Sequence, residues 1–223
     1  MPEPTALLHR LLGRTLLAVL DHLPVPLAVA RVLMLAENAW ENLRGGWGRL
    51  RDDGEANRYH AVRAAVERHA ADGFVLDVGC SQGILQEGLS YRRYLGVDSY
   101  RPAIRRAQAA WGAEGAGRRT GFVHADAATF EPDEAPDAVV LNEVLYYLPH
   151  PVRVVQRYAD LLAPGGVVVI SCYARTWPTR RLLVRVSRRL VLLESARVVA
   201  EPHAWDVAVL RRRSRHRTHI SPK

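Results

Sequence analysis

Phe74-Val75-Leu76-Asp77-Val78-Gly79-Cys80-Ser81-Gln82-Gly83 is the stretch on which the reading of this chain turns. Its first five residues form a short, mostly apolar run, flanked by Gly73 and Gly79, with the length of a strand buried on both faces. Gly79 and Gly83 then let the backbone turn tightly and come close to a ligand. The spacing differs from a dinucleotide fingerprint, which needs glycine where Ser81 stands. It differs from a phosphate loop too, because no Gly-Lys-Ser/Thr follows.

Working outward, strand-like and helix-like segments alternate. Helices are expected over 59–69, 102–111 and 150–162, and strands over 94–97, 121–124, 138–141 and 167–171. Such alternation predicts a parallel sheet with crossover helices. The end of the chain differs. Runs at 197–201 and 205–210 are joined only by Pro202-His203-Ala204, too short for a crossover helix, so they should pair antiparallel. In open parallel sheets ligands sit beyond the carboxyl ends of the strands. The loops leaving the runs at Asp77, Asp98, Asp126 and Asn142 are therefore the candidates, and each begins with an acid or an Asn-Glu pair. Asp98 lies 21 residues beyond Asp77. An acid at that distance can grip both hydroxyls of a ribose through charge-assisted hydrogen bonds.

Composition sets the outer bounds. The 223 residues are 48% hydrophobic and 24% charged, which excludes disorder and leaves ample chain for a core. Cys80 and Cys172 are too few to staple a secreted scaffold, and a reducing, cytoplasmic setting is the expectation. The net charge is +8, but its distribution is uneven. Residues 174–223 hold thirteen basic residues against Glu194, Glu201 and Asp206, ending in Arg211-Arg212-Arg213-Ser214-Arg215-His216-Arg217. Such a run is either a solvated tail or a contact for phosphates or anionic lipid. Residues 1–58 read as a helical cap, with Leu8, Leu11, Leu12, Leu16 and Val19 on one face and Pro24 and Pro26 breaking the helix. Arg10, Arg14, Asp21 and Arg31 interrupt every apolar run before the ~18–20 residues a membrane span needs. No secretory leader is expected; the stripe either packs on its own domain or lies in a membrane interface. The division expected is a cap over 1–58, a folded domain over 59–211 and a basic tail over 212–223.

Taken together, five segments resemble the class I S-adenosylmethionine-dependent methyltransferases over 59–210, in that family's order. They are Asp77-Val78-Gly79-Cys80-Ser81-Gln82-Gly83, Gly96-Val97-Asp98-Ser99, His124-Ala125-Asp126-Ala127, Leu141-Asn142-Glu143-Val144-Leu145-Tyr146-Tyr147-Leu148 and Leu162-Ala163-Pro164-Gly165-Gly166. Ser81 stands where many members carry a third glycine. The resemblance implies an α/β fold with a seven-stranded, mostly parallel Rossmann-like sheet whose last strand is antiparallel, here with an N-terminal helical extension. It implies S-adenosyl-L-methionine as cofactor. Asp77, Gly79, Cys80, Ser81 and Gly83 would line its methionine half and Asp98 would hold the ribose. Ser99 and Tyr100 would flank the adenine, and Asp126, with Ala127 beside it, would accept from the adenine amino group. Asn142 and Glu143 would lie near the amino acid moiety and the transferring methyl.

The run Asn142 to Leu148 resembles both the nodulation-type N-methyltransferases and methyltransferases of sugars and small natural products. That similarity implies a small-molecule or saccharide acceptor, methylated at oxygen or nitrogen. A nucleic acid acceptor is not expected, since neither an Asn/Asp-Pro-Pro-aromatic run nor a suitable Pro-Cys pair is present. His150 is the expected base, or else it merely opens the helix after Pro149; Glu143, Tyr146 and Tyr147 are further candidates. No His/Asp/Glu cluster announces a metal site, so none is assigned, and a metal requirement for a hydroxyl acceptor stays open. Oligomeric state, monomer or homodimer, stays open. The rival reading is a non-catalytic methyltransferase-like binding protein using its arginine tail on RNA or an anionic surface.

Overall fold

Strand β1 (Phe74–Val78) is buried at all five positions, as its run requires of a strand covered on both faces. Around it the computed structural model places β2 (Arg93–Asp98), β3 (Arg119–His124), β4 (Ala138–Asn142), β5 (Val167–Tyr173), β6 (Val191–Ala200) and β7 (His203–Arg211). They form one seven-stranded sheet of order β3-β2-β1-β4-β5-β7-β6. β1 to β5 run parallel, and β7 inserts antiparallel between β5 and β6. The chain builds outward from β1 to β3, then returns to lay β4 on the other side of β1. That reversal opens a crevice at the carboxyl ends of β1 and β4.

The structure describes residues 53–112, 119–174, 177–201 and 203–213, with Val29, Val32 and Ala36 besides. The helical cap expected over 1–58 lies outside the described residues up to 52, apart from those three positions. The basic tail expected over 212–223 lies outside them from residue 214.

Helices cover both faces. α1 (Asp53–Ala70) and α2 (Arg101–Trp111) share one face, where Val62, Val66, Ile104 and Ala107 pack with Val75, Tyr94 and Val169. α3 (Pro151–Leu161) and α4 (Trp177–Ser187) share the other, where Val155, Tyr158 and Leu182 pack with Leu76, Leu141 and Ile170. The alternation of strand side chains sends Phe74, Leu76 and Val78 to the second core, so Asp77 shares the α1 face with Val75. Proline in the first turn of α2 and of α3 matches the fixed φ of a helix start.

Two elements depart from expectation. α4 was not expected, because Arg180, Arg181 and Arg185 interrupt the apolar pattern; its inward stripe is Leu182, Leu183 and Val186, all buried. β6 begins at Val191, six residues before the expected 197. As an edge strand it is largely exposed, so no alternation marks its first half. The expected antiparallel pairing of the last two strands is present. Among the described residues no helix is long and apolar enough to cross a membrane.

Candidate active site

The loop after β1 is shaped by its glycines. Gly79 has φ 78°, and a Cβ there would run into the Val144 side chain. The Gly79 and Cys80 N–H groups both donate to Val97 O, at 2.7 and 3.1 Å, which ties the loop to β2. Ser81, where a third glycine was absent, adopts φ 48° and donates its N–H to Asp98 Oδ2 at 2.9 Å. The other oxygen, Oδ1, accepts from Tyr100 N–H at 2.8 Å. The acid at the end of β2 is thus fixed by backbone donors on both sides. Burial raises the Asp98 pKa, while these backbone hydrogen bonds oppose the shift.

Asp77 faces the same space. Its Oδ2 accepts from the Tyr94 hydroxyl, whereas Oδ1 is buried and has no partner among the described residues. Burial pushes its pKa up to about 7, and Asp98 nearby adds to the rise; the Tyr94 hydrogen bond and Arg58 counteract it. An orphaned, buried carboxylate oxygen at the head of a cleft marks a place where a positively charged or hydrogen-donating group belongs.

Most of the residues singled out in the sequence line one cleft of about 210 Å³. Asp77, Gly79, Cys80, Ser81, Asp98, Ser99, Tyr100, Asp126, Ala127, Asn142, Glu143 and Tyr147 are all there. Three are not on that wall. Gly83, at φ 73°, leaves room for the Phe122 ring, 2.6 Å from where its Cβ would stand, so it serves packing. Tyr146 is buried and donates its hydroxyl to Glu143 Oε2 at 2.6 Å. His150 is exposed at the N-cap of α3, in left-handed conformation (φ 48°), and its side chain caps nothing. Pro149 marks the edge of the cleft on that side.

The wall formed by Asp126 and Ala127 is clamped from behind. Asp126 Oδ1 accepts from Ala128 N–H at 2.8 Å, a local turn that fixes the carboxylate. From α3, Arg157 donates to Phe130 O and Ala127 O at 2.6 and 2.9 Å, and the Tyr158 hydroxyl donates to Ala127 O at 2.7 Å.

The opposite wall holds a residue the sequence reading missed. Arg58, on α1, is 2% exposed and lines the cleft. Its guanidinium bonds Asn142 Oδ1 and Glu55, and lies 4.5 Å from the Tyr59 ring centre and 5.7 Å from that of Trp205. Ser171 donates to Asn142 Oδ1 at 2.7 Å and lies 3.4 Å from Glu143 Oε1. Glu143, at φ 60°, is therefore held by Tyr146 and Ser171 beneath the Arg58 charge. Burial raises its pKa against the pull of Arg58. The overlooked signal was an arginine on the inward face of a helix, in register with Val62, Ala65 and Val66. Among the described residues no three His, Cys, Asp or Glu side chains gather as a metal site would require.

Known proteins bear on this geometry. A family model described as a methyltransferase domain matches residues 51–223. The chain is 32% identical over 122 residues to a trans-aconitate 2-methyltransferase of Methylobacterium radiotolerans, covering 52% of this chain and 45% of that protein. It is 34% identical over 122 residues to a ubiquinone biosynthesis O-methyltransferase of Leptothrix cholodnii, covering 53% and 51%. The chain thus spans about half the length of the curated relatives it matches. Among solved structures, the N-methyltransferase NodS of Bradyrhizobium japonicum with S-adenosyl-L-homocysteine superposes with TM-score 0.65 at 23% identity, over 75% of this chain and 92% of that one. The [4+2]-cyclase SpnF gives 0.57 at 16% identity, over 71% and 81%, so the fold by itself does not fix the reaction. With the sheet order, the strand-end acids and a family model spanning residues 51–223 in agreement, the chain belongs to the methyltransferase domain family, within the class I S-adenosylmethionine-dependent methyltransferases.

Proposed function

We propose that the protein binds S-adenosylmethionine in this cleft and catalyses transfer of its methyl group to an oxygen or nitrogen of a small-molecule or saccharide acceptor. The observation that carries the reading is the pair of acids on one cleft. Asp98 is preset by two backbone N–H groups, and Asp77 keeps a buried oxygen without a partner among the described residues. The first suits a ribose diol and the second a cationic amino acid moiety.

The cofactor supplies a methyl already activated on a sulfonium, so the chain's share is placement. Asp98 holds the ribose hydroxyls. Ser99 and Tyr100 flank the base, and Asp126 meets the adenine amino group from its clamped loop. Arg58 is the cation for the carboxylate end. The same guanidinium already bonds Glu55, so an incoming carboxylate competes with that side chain. At the methyl end stand Asn142, Glu143 and Tyr147. Glu143 is the side chain there with raised proton affinity, which suits it to draw a proton from an acceptor hydroxyl or ammonium. His150, exposed and outside the cleft wall, has no part in this reading.

Two measurements on one preparation test it. Titration calorimetry should show S-adenosylhomocysteine binding at micromolar strength or better. Transfer of label from methyl-labelled S-adenosylmethionine should appear with some member of a panel of hydroxy acids, phenols, amines and amino sugars. Binding without transfer to any of them would favour a non-catalytic protein. No binding of either nucleoside would sink the proposal.

A further inference from the structure

The end of the sheet opposite the cleft carries an arrangement the methyl transfer does not use. β7 runs antiparallel to β5, and Val168 pairs with Leu210, so Arg211, Arg212 and Arg213 emerge where the parallel strands begin. Arg188 and Arg189, just past α4, reach the same end. Arg212 donates to Asp160 O at 3.5 Å, and Arg213 donates to Arg188 O at 3.2 Å. Between them lies an open groove of about 890 Å³, in which Asp160 is, among the described residues, the single acid facing Arg189, Arg212 and Arg213.

Two features set this end apart. The first is uncompensated charge. At the start of β2, Arg92 and Arg93 are paired with Asp133 and Glu134. Arg188, Arg189, Arg211, Arg212 and Arg213 are all exposed, and none forms an ion pair with a described carboxylate. The nearby Glu194 is taken by Arg68 and His69. The second is exposed apolar surface among those charges. Val191, Leu192 and Leu193 are 42, 50 and 37% exposed, and Val191 pairs with Arg211. Val184, 51% exposed, stands beside exposed Arg185 on the outer face of α4.

We infer that this pole is a docking surface for an anionic lipid membrane. Arginines satisfy headgroup phosphates while their stems and the exposed edge of β6, with Val191 and Leu192 on its two faces, enter the acyl boundary. Nucleic acid matches the charge but offers nothing to Val191, Leu192 and Leu193. A second copy would set like charges against each other, and the bulge between Leu192 and Glu194 breaks the ladder on which an edge-to-edge pairing would build. The surface lies at the far end of the sheet from the cofactor cleft, so occupation of one does not block the other.

Sedimentation of the full chain with vesicles tests it. Binding is expected to vesicles of equal parts phosphatidylglycerol and phosphatidylcholine, and to fall sharply with phosphatidylcholine alone. Each arginine near an anionic leaflet contributes about 1 kcal/mol, roughly fivefold in partitioning, so Arg188→Gln, Arg189→Gln, Arg212→Gln and Arg213→Gln together should weaken binding at least about 100-fold. Val191→Ser, Leu192→Ser and Leu193→Ser together should leave a residue of binding that salt abolishes. The pair Arg212→Gln and Arg213→Gln, beyond the last strand, repeats the charge test with the least risk to folding, and an unchanged melting temperature confirms the fold. Equal binding to both vesicle types overturns the inference, as do variants that bind like the parent. So does loss of binding only on truncation after Arg213, or capture of single-stranded RNA in place of vesicles. A concentration-dependent dimer that the serine variants abolish would also overturn it.

Discussion

Replacing Asp98 by Asn keeps the shape of the side chain while removing its charge and one of its two acceptor oxygens. In the folded chain both oxygens are already engaged, Oδ2 by Ser81 N–H at 2.9 Å and Oδ1 by Tyr100 N–H at 2.8 Å. A carboxylate has about four acceptor sites, so capacity remains for a pair of ribose hydroxyls. An asparagine must turn its NH2 toward one of the two N–H groups, and it offers a single, uncharged oxygen to the diol. A hydrogen bond to a charged acceptor contributes about 1.5–3 kcal/mol, so losing two forfeits about 3–6 kcal/mol. The expected loss of S-adenosylhomocysteine affinity is therefore at least about 100-fold. Calorimetry with that ligand and with its 2′-deoxy analogue separates direct contact from loop anchoring. The parent protein should discriminate against the deoxy ligand by about tenfold, the worth of one such bond, and Asp98→Asn should hardly discriminate. If the variant lost affinity for both ligands yet still discriminated tenfold, Asp98 would be only a loop anchor. Undiminished affinity would refute the reasoning outright.

Other expectations follow from the same cleft. Because burial lifts Asp77 to about 7, affinity for S-adenosylhomocysteine should rise between pH 6 and pH 8, with about half a proton released on binding at pH 7, measurable in buffers of different ionisation enthalpy. Tyr94→Phe removes a hydroxyl that favours the charged form and should move that midpoint upward. The folded, unliganded protein keeps a proton on Asp77 that the unfolded chain releases near its ordinary 3.8, so chemical denaturation should show stability falling as pH rises from about 4 to about 7 and levelling above. Gly79→Ala drives a Cβ into Val144 at φ 78° and should cost about 1–3 kcal/mol in denaturant unfolding while abolishing ligand binding. His150→Gly relieves a left-handed backbone without losing any cap, and should stabilise by about 0.5–1 kcal/mol with turnover unchanged.

The sheet was legible because its central strands are buried on both faces and so appear as apolar runs between turn residues. Phe74–Val78 and Val167–Tyr173 stand out in this way, with Gly73 before the first and Gly165-Gly166 before the second. The edge gave less: β6 is exposed over most of its length, and α4 carries its arginines on the outward face. In the site, strand-end acids were readable because parallel strands deliver their last residues to one place. Arg58 was only half legible: its register with Val62, Ala65 and Val66 marks it as inward-facing, but only α1 laid across β4 and β7 shows that what it faces is the cleft. His150 shows the converse. Its closeness in sequence to Glu143 suggested chemistry, but the turn into α3 sends it outward. The positive φ of Ser81 lies in the loop leaving β1, and that of Glu143 and His150 in the connection from β4 to α3, so each depends on where those elements are placed.

Helix α3 begins directly behind the segment from Asn142 to Pro149 and, two turns later, grips the Ala127 and Phe130 carbonyls through Arg157 and Tyr158. One rigid rod therefore spans the two ends of the reaction space. On the proposed placement of the cofactor, adenine steadying the Asp126 loop would share that free energy, through the helix, with the segment proposed to receive the acceptor. Linkage would make that exchange symmetrical, with a bound acceptor tightening the grip on the nucleoside by the same factor.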